Sequence, residues 1–172
     1  MSEKITIYNL GNSFFSNKEE ALALASKSFI GEVKDGKVYY SIYETLFLLE
    51  KSKALLLDSK EKQISFHSLL KKHSKNHLSY IVFKDLTEKG MIVKEGLKFG
   101  TDFRVYNKGE KPGKAHAKYL LHIVDSRDKN INLHNFSAKA RIANTTKKIL
   151  LLAILDSEKD INYYEVNWNS LL

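Results

Sequence analysis

The sequence predicts an α/β (α+β) fold in two parts: a small N-terminal α/β domain over residues 1–75, then a C-terminal domain over residues 76–172 with a mixed sheet of about five strands flanked by helices. Three observations predict it. Short apolar runs of strand length recur in both halves, starting with the alternation Ile5, Ile7. Leu78, Tyr80, Ile81, Val82 and Leu86 recur instead at helical spacing and are stopped by Gly90. Five of the eight glycines (Gly90, Gly96, Gly100, Gly109, Gly113) crowd into residues 90–113, which punctuates that stretch into short strands and turns.

The elements follow in chain order. Ile5–Leu10 reads as a strand, and Lys18–Ser28 as an alanine-rich helix or a loop. Gly31–Tyr40 reads as a hairpin around Asp35-Gly36, a dipeptide that tolerates the left-handed backbone of a tight turn. Ser41–Lys51 and Ser65–Ser74 read as helices. Beyond the helix that Gly90 stops, Met91–Val93, Asp102–Tyr106 and Lys118–Asp125 read as strands, and Asn135–Lys147 as a helix. Leu150–Leu155 and Ile161–Trp168 read as two more strands, joined by the acidic turn Ser157–Asp160. Trp168, on the last of these, fits core packing or an interface.

Composition narrows the function. The absence of cysteine excludes disulfide frameworks, cysteine zinc sites, iron–sulfur clusters and thiol nucleophiles. The longest strongly apolar run, Ile149–Leu155, falls far short of the about 20 residues a membrane span needs. The start of the chain lacks a secretory signal, so a cytoplasmic protein with no membrane association is expected. The net charge of +8 is local. Arg104, Lys108, Lys111, Lys114 and Lys118 face only Glu110 in one stretch, and Lys139, Arg141, Lys147 and Lys148 face no acid in another, leaving the rest of the chain neutral. Basic charge gathered in this way suits a phosphate-bearing partner.

Several chemistries are missing. Neither phosphate-binding glycine motif is present, because Gly96 and Gly100 have the wrong spacing. His73 and His77 stand four apart without the intervening Glu of a zinc helix, and Glu32-Val33-Lys34 lacks the preceding Asp of a metal-dependent nuclease. No metal and no cofactor are expected.

What remains is a set of residues suited to cutting RNA without a metal. That reaction needs a base for the 2′-hydroxyl, an acid for the departing 5′-oxygen, and a cation for the charge on the phosphate. Phe99-Gly100-Thr101-Asp102-Phe103-Arg104-Val105-Tyr106 is followed by His116 ten residues later, then by Arg141-Ile142-Ala143 leading to Lys148 seven residues beyond the arginine. This pattern resembles the archaeal tRNA-splicing endonucleases. The likeness covers most of the second half, including Met91-Ile92-Val93 and Ala153-Ile154-Leu155-Asp156, and is weak over the first 75 residues.

The resemblance implies a catalytic endonuclease subunit, a tRNA-intron lyase. Such an enzyme cuts precursor tRNA at bulge-helix-bulge intron junctions and leaves a 2′,3′-cyclic phosphate and a 5′-hydroxyl. It further implies Tyr106 as base, His116 as acid, and Lys148 as the stabilising cation, its spacing from Arg141 choosing it over Lys147. A phenol is mostly protonated at neutral pH, so the base role requires a neighbouring cation, such as the Lys148 ammonium. Arg141 matches the arginine that stacks on a bulge base, and Lys108, Lys111, Lys114 and Lys139 could line the phosphate path.

Two bulges call for two active sites, hence an oligomer: a homotetramer, or two plus two with a structural paralogue. In the family an acidic loop docks on another subunit. Asp125-Ser126-Arg127-Asp128 stands at that position, but Arg127 and Lys129 interrupt the acidity, so docking and a plain solvent turn both remain open. The alternative function is a non-catalytic RNA-binding or structural subunit of such a complex.

Overall fold

The computed structural model describes residues 4–11, 13–128 and 132–169. The chain forms two compact units, Met1–Tyr80 and Ile81–Leu172.

The first unit is built on a six-stranded sheet. Its strands are β1 (Ile5–Leu10), β2 (Ser13–Ser16), β3 (Glu32–Lys34), β4 (Lys37–Tyr40), β5 (Ala54–Leu57) and β6 (Gln63–Ile64), in the order β3-β4-β2-β1-β5-β6. Only the β1 and β5 pair is parallel. The helices are α1 (Glu19–Ser28), α2 (Ile42–Glu50) and α3 (Phe66–Lys72). Asp35 and Gly36 both have positive φ, 49° and 72°, as the two-residue hairpin between β3 and β4 requires. Ser41 caps α2 through a reciprocal pair with Glu44, whose buried carboxylate also accepts the Gly31 N–H at 2.8 Å. Ile5, Ile7, Phe14, Val38 and Leu56 share one face of the sheet and are buried. The strands β2 (Ser-Phe-Phe-Ser), β5 (Ala-Leu-Leu-Leu) and β6 (Gln-Ile) are additions to the sequence reading, which assigns none of them as a strand.

Helix α4 (His77–Glu88) leads into the second unit, where β7 (Ile92–Glu95), β8 (Phe103–Tyr106), β9 (Tyr119–Asp125), β10 (Ile149–Leu155) and β11 (Ile161–Val166) form a sheet in the order β11-β10-β9-β8-β7. The five-stranded mixed sheet is as expected. Helix α5 (Leu133–Thr145) connects the parallel pair β9 and β10, the arrangement that a same-direction crossover demands. It starts two residues earlier than the apolar pattern suggests because the Asn132 side chain accepts the Asn135 N–H and supplies the cap.

Both faces of this sheet are covered. Leu120 and Leu150 pack under Ala140 and Ala143 of α5, with Phe99, Phe136, Ile142, Leu152 and Val166 around them. On the opposite face Phe103 meets Phe83 of α4 at 6.0 Å between ring centres, and the Tyr163 hydroxyl donates to Asp85 at 2.7 Å. Burial and that carboxylate push the Tyr163 phenol well above its ordinary value. Between β7 and β8 the chain doubles back so tightly that a Cβ on Gly96 would stand 2.5 Å from Thr101 Oγ1 and 2.7 Å from its carbonyl oxygen, so only glycine fits.

Candidate active site

Sheet register brings the separated residues to one end of the second unit. Val105 pairs with Tyr119, and Tyr119 with Ile149, across the adjacent strands β8, β9 and β10. One residue further along the same rows stand Tyr106, Lys118 and Lys148, and the Ile149 N–H donates to the Lys118 carbonyl at 3.0 Å. Alternation puts this row on the face that carries α5, the face of Arg104 and Leu120. Tyr106 and Lys148 are therefore two strand spacings apart, about 10 Å between backbones.

Each side chain has its own surroundings. Tyr106 ends β8 and is only 4% exposed; its hydroxyl lies 3.5 Å from Arg104 Nη1, while Arg104 Nε donates to the Glu95 carbonyl at 3.0 Å. Lys148 follows Lys147, whose φ of 55° turns the chain sharply out of α5 and into β10. Lys147 is exposed; Lys148 is half-buried, donates from Nζ to the Thr146 carbonyl at 2.9 Å, and holds Nζ 5.5 Å from the centre of the Phe99 ring. Lys118, between them in the row, turns to the Tyr119 ring, 4.7 Å from its centre, and contact with the Tyr119 side chain raises its pKa. The Tyr119 hydroxyl in turn donates to Glu165 at 2.6 Å.

His116 lies in the loop joining β8 to β9, exposed and two residues before Lys118. The loop is folded on itself: Asn107 donates twice to Glu110, and a turn closes from Ala115 N–H to the Lys111 carbonyl at 2.8 Å. Glu110, the one acid of that basic stretch, is thus engaged locally. Lys108 and Lys114 are exposed on the same loop, and Arg141 is exposed on α5.

Lys139 is placed differently. Its Nζ stands 3.3 Å from His122 Nε2, and His122 Nδ1 is 2.9 Å from Asp102 Oδ2, which also accepts the Ile123 N–H at 2.9 Å. With Asp102 accepting, Nδ1 carries the proton and Nε2 accepts from the ammonium. Lys139 and His122 line a cavity of about 430 Å³ with Phe136, Leu133, Leu152 and Ile154. Neither this chain of contacts nor the position of Arg104 beside Tyr106 follows from the sequence reading. The alternation of Arg104 with Tyr106 on one strand was the available signal. In the 125–128 loop the Asp125 carboxylate is already taken by Arg127, at 2.6 Å to Nη2, which holds its pKa down at about 2; Lys129 lies outside the described residues.

The family model for the tRNA intron endonuclease catalytic C-terminal domain matches residues 76–163, which contain every one of these side chains except Glu165. The chain belongs to the tRNA intron endonuclease family. Its similarity to tRNA-splicing endonucleases runs the full length, including the N-terminal unit. It is 34% identical over 173 residues to that of Thermococcus onnurineus, covering 98% of each chain. It is 36% identical over 163 residues to that of Methanothermobacter thermautotrophicus, covering 92% of this chain and 95% of the relative. The protein from Pyrococcus furiosus is 34% identical over 173 residues, again covering 98% of each. Among the described residues of this endonuclease-family chain, no helix is long and apolar enough to cross a membrane, and no three His, Asp or Glu side chains gather as a set of metal ligands.

Proposed function

We propose that this chain is the catalytic subunit of a tRNA-splicing endonuclease that cuts precursor tRNA at bulge-helix-bulge intron junctions without a metal ion. The carrying observation is the common row of Tyr106 and Lys148, two strand spacings apart on either side of Lys118, with His116 in the loop at the same sheet end. In the reaction Tyr106, acting as the phenolate, takes the 2′-hydroxyl proton, and the freed 2′-oxygen attacks the adjacent phosphorus. Lys148 compensates the charge gathering on the non-bridging oxygens. The bond from phosphorus to the 5′-oxygen breaks, and protonated His116 gives that oxygen its proton. The products are a 2′,3′-cyclic phosphate and a 5′-hydroxyl.

Two features of the structure reshape this reading. The cation at hydrogen-bonding range of the Tyr106 hydroxyl is Arg104, where the sequence pointed to Lys148. Tyr106 is only 4% exposed and its hydroxyl meets Arg104, so substrate access requires a local rearrangement in which the guanidinium gives up that contact. Lys108, Lys114 and Arg141, all exposed, are the proposed RNA contacts, together with the half-buried Lys139, whose ammonium would exchange its His122 contact for a phosphate. Two junctions per substrate require two such sites, in a homotetramer or a two-plus-two assembly with a structural paralogue.

The burial of Tyr106 supports a second reading, a non-catalytic RNA-binding or structural subunit in which the tyrosine only packs beneath Arg104. One assay separates the two. The full chain, alone and with any paralogous subunit, is incubated with a bulge-helix-bulge RNA in EDTA, and the new ends are analysed. Cutting to a cyclic phosphate is the expected result. Cutting that needs Mg²⁺ overturns the metal-free mechanism, and no cutting in any combination leaves the structural subunit.

A further inference from the structure

We infer that the uncovered face of the N-terminal sheet is a second RNA-binding surface, which stacks unpaired bases on a row of aromatic rings. Register defines the row: Leu57, Tyr8, Phe15, Tyr39 and Glu32 stand side by side across β5, β1, β2, β4 and β3. Tyr8 and Phe15 are 5.9 Å apart between ring centres, and Phe15 and Tyr39 are 6.1 Å apart, with the rings tilted by 35° and 38°. The three helices of this unit bury the other face, that of Ile7, Phe14 and Val38. On the aromatic face no strand residue is buried; all are half-buried or exposed, and Tyr39 is 37% exposed.

Charge identifies the occupant. One step along the strands from the aromatics, on the same face, Lys37 pairs with Lys34, and Lys37 Nζ lies 5.3 Å from the centre of the Phe15 ring. Lys4 and Lys53 extend β1 and β5 on that side, joined by the Ile5 N–H bond to the Lys53 carbonyl. Four exposed lysines thus lie on this face, with Glu32 in the aromatic row, Asp35 in the turn between Lys34 and Lys37, and Asp58 after Leu57 as the neighbouring carboxylates. A second copy docking here by two-fold symmetry would bring these lysines against one another. A polyanion with planar bases meets both features: phosphates along the lysines and bases on the rings, the way sheet surfaces and grooves hold single-stranded RNA. The surface lies outside the span that matches the catalytic-domain model and does not depend on the cleavage chemistry.

The test photocross-links an eight-nucleotide, 4-thiouridine RNA to the full chain and maps the adducts by peptide mass. Adducts on Tyr8, Phe15 or Tyr39 are expected; adducts confined to the second unit overturn the proposal. In parallel, fluorescence anisotropy with a labelled octauridylate compares wild type with Tyr39→Ala and Phe15→Leu, the latter keeping apolar bulk while removing the ring. Each is expected to weaken binding by about tenfold, as loss of one stacked base does. Lys34→Glu with Lys37→Glu should weaken it and flatten its salt dependence. Melting profiles like wild type establish that the variants fold. Unchanged affinity in all of them, or variants that change the oligomeric state and leave RNA affinity intact, overturns the inference, the latter in favour of a protein interface.

Discussion

The two sheets of this chain are alike in being mixed and differ in what lies over them. In the second unit α5 covers one face and α4 meets the other, so inward and outward residues alike are apolar, as in the run Ile149–Leu155. In the first unit helices cover one face only, and the other carries rings and lysines. The difference separates two ways of using a sheet. A doubly covered sheet fixes the ends of its strands rigidly, which suits a site whose members come from β8, the β8–β9 loop and the start of β10. A singly covered sheet leaves a broad surface for contact.

Side-chain truncation sharpens this contrast most. Leu121→Ala and Leu150→Ala, on opposite faces of the second sheet and both 0% exposed, should each cost about 2–5 kcal/mol. In the first sheet Ile7→Ala, also 0% exposed, should fall in the same range, whereas Tyr8→Ala on the neighbouring open face should cost about 1 kcal/mol. Denaturant unfolding followed by hydrogen exchange in each sheet measures both. Equal losses at Ile7 and Tyr8 would mean that the open face is covered in solution. A smaller effect is expected from Ser41→Ala, which removes the α2 cap: about 1 kcal/mol, seen as faster exchange in the first unit with the second unit unchanged.

The smallest effect concerns two exposed carboxylates. Asp125 is held at about 2, first by the Arg127 side chain, and Asp58 is held below its usual range, first by the Lys62 and Lys60 backbone N–H groups. Both pKa values are depressed in the folded state, so each contribution to stability is present above the ordinary carboxyl value and is lost as pH falls through the folded one. About 0.5 M salt should raise the Asp125 value toward about 3.9 while moving Asp58 less, because the first depends on an ion pair and the second on fixed backbone dipoles. Carboxyl NMR titration reads both; equal shifts would contradict these assignments.

Legibility divided along similar lines. Asp35-Gly36 announced the hairpin, and Ser41 with Glu44 has the spacing of a capping box, because turns and caps are local chemistry. Runs of four residues or fewer show little period: β3, β4, β7 and β8 are legible through the glycine turns beside them, whereas β5 and β6 have no such turn and β2 offers only two apolar residues. Strand β10, seven residues long and apolar throughout, was plain. For the proposed site, Tyr106, His116 and Lys148 are named by the resemblance of their spacing to the family pattern. The partners of Tyr106 and Lys139 were not: Arg104 reaches the phenol only through strand alternation, and Asp102 and His122, twenty residues apart, meet only because β8 and β9 pair.

Single-turnover cleavage of a bulge-helix-bulge RNA by Lys148→Ala, with RNA affinity measured on the same preparation, tests the central claim most directly. The proposed role predicts a rate at least ~100-fold below wild type with affinity nearly unchanged, since the ammonium acts on charge that develops in the transition state. A rate within a few-fold of wild type would contradict it and remove Lys148 from the chemistry.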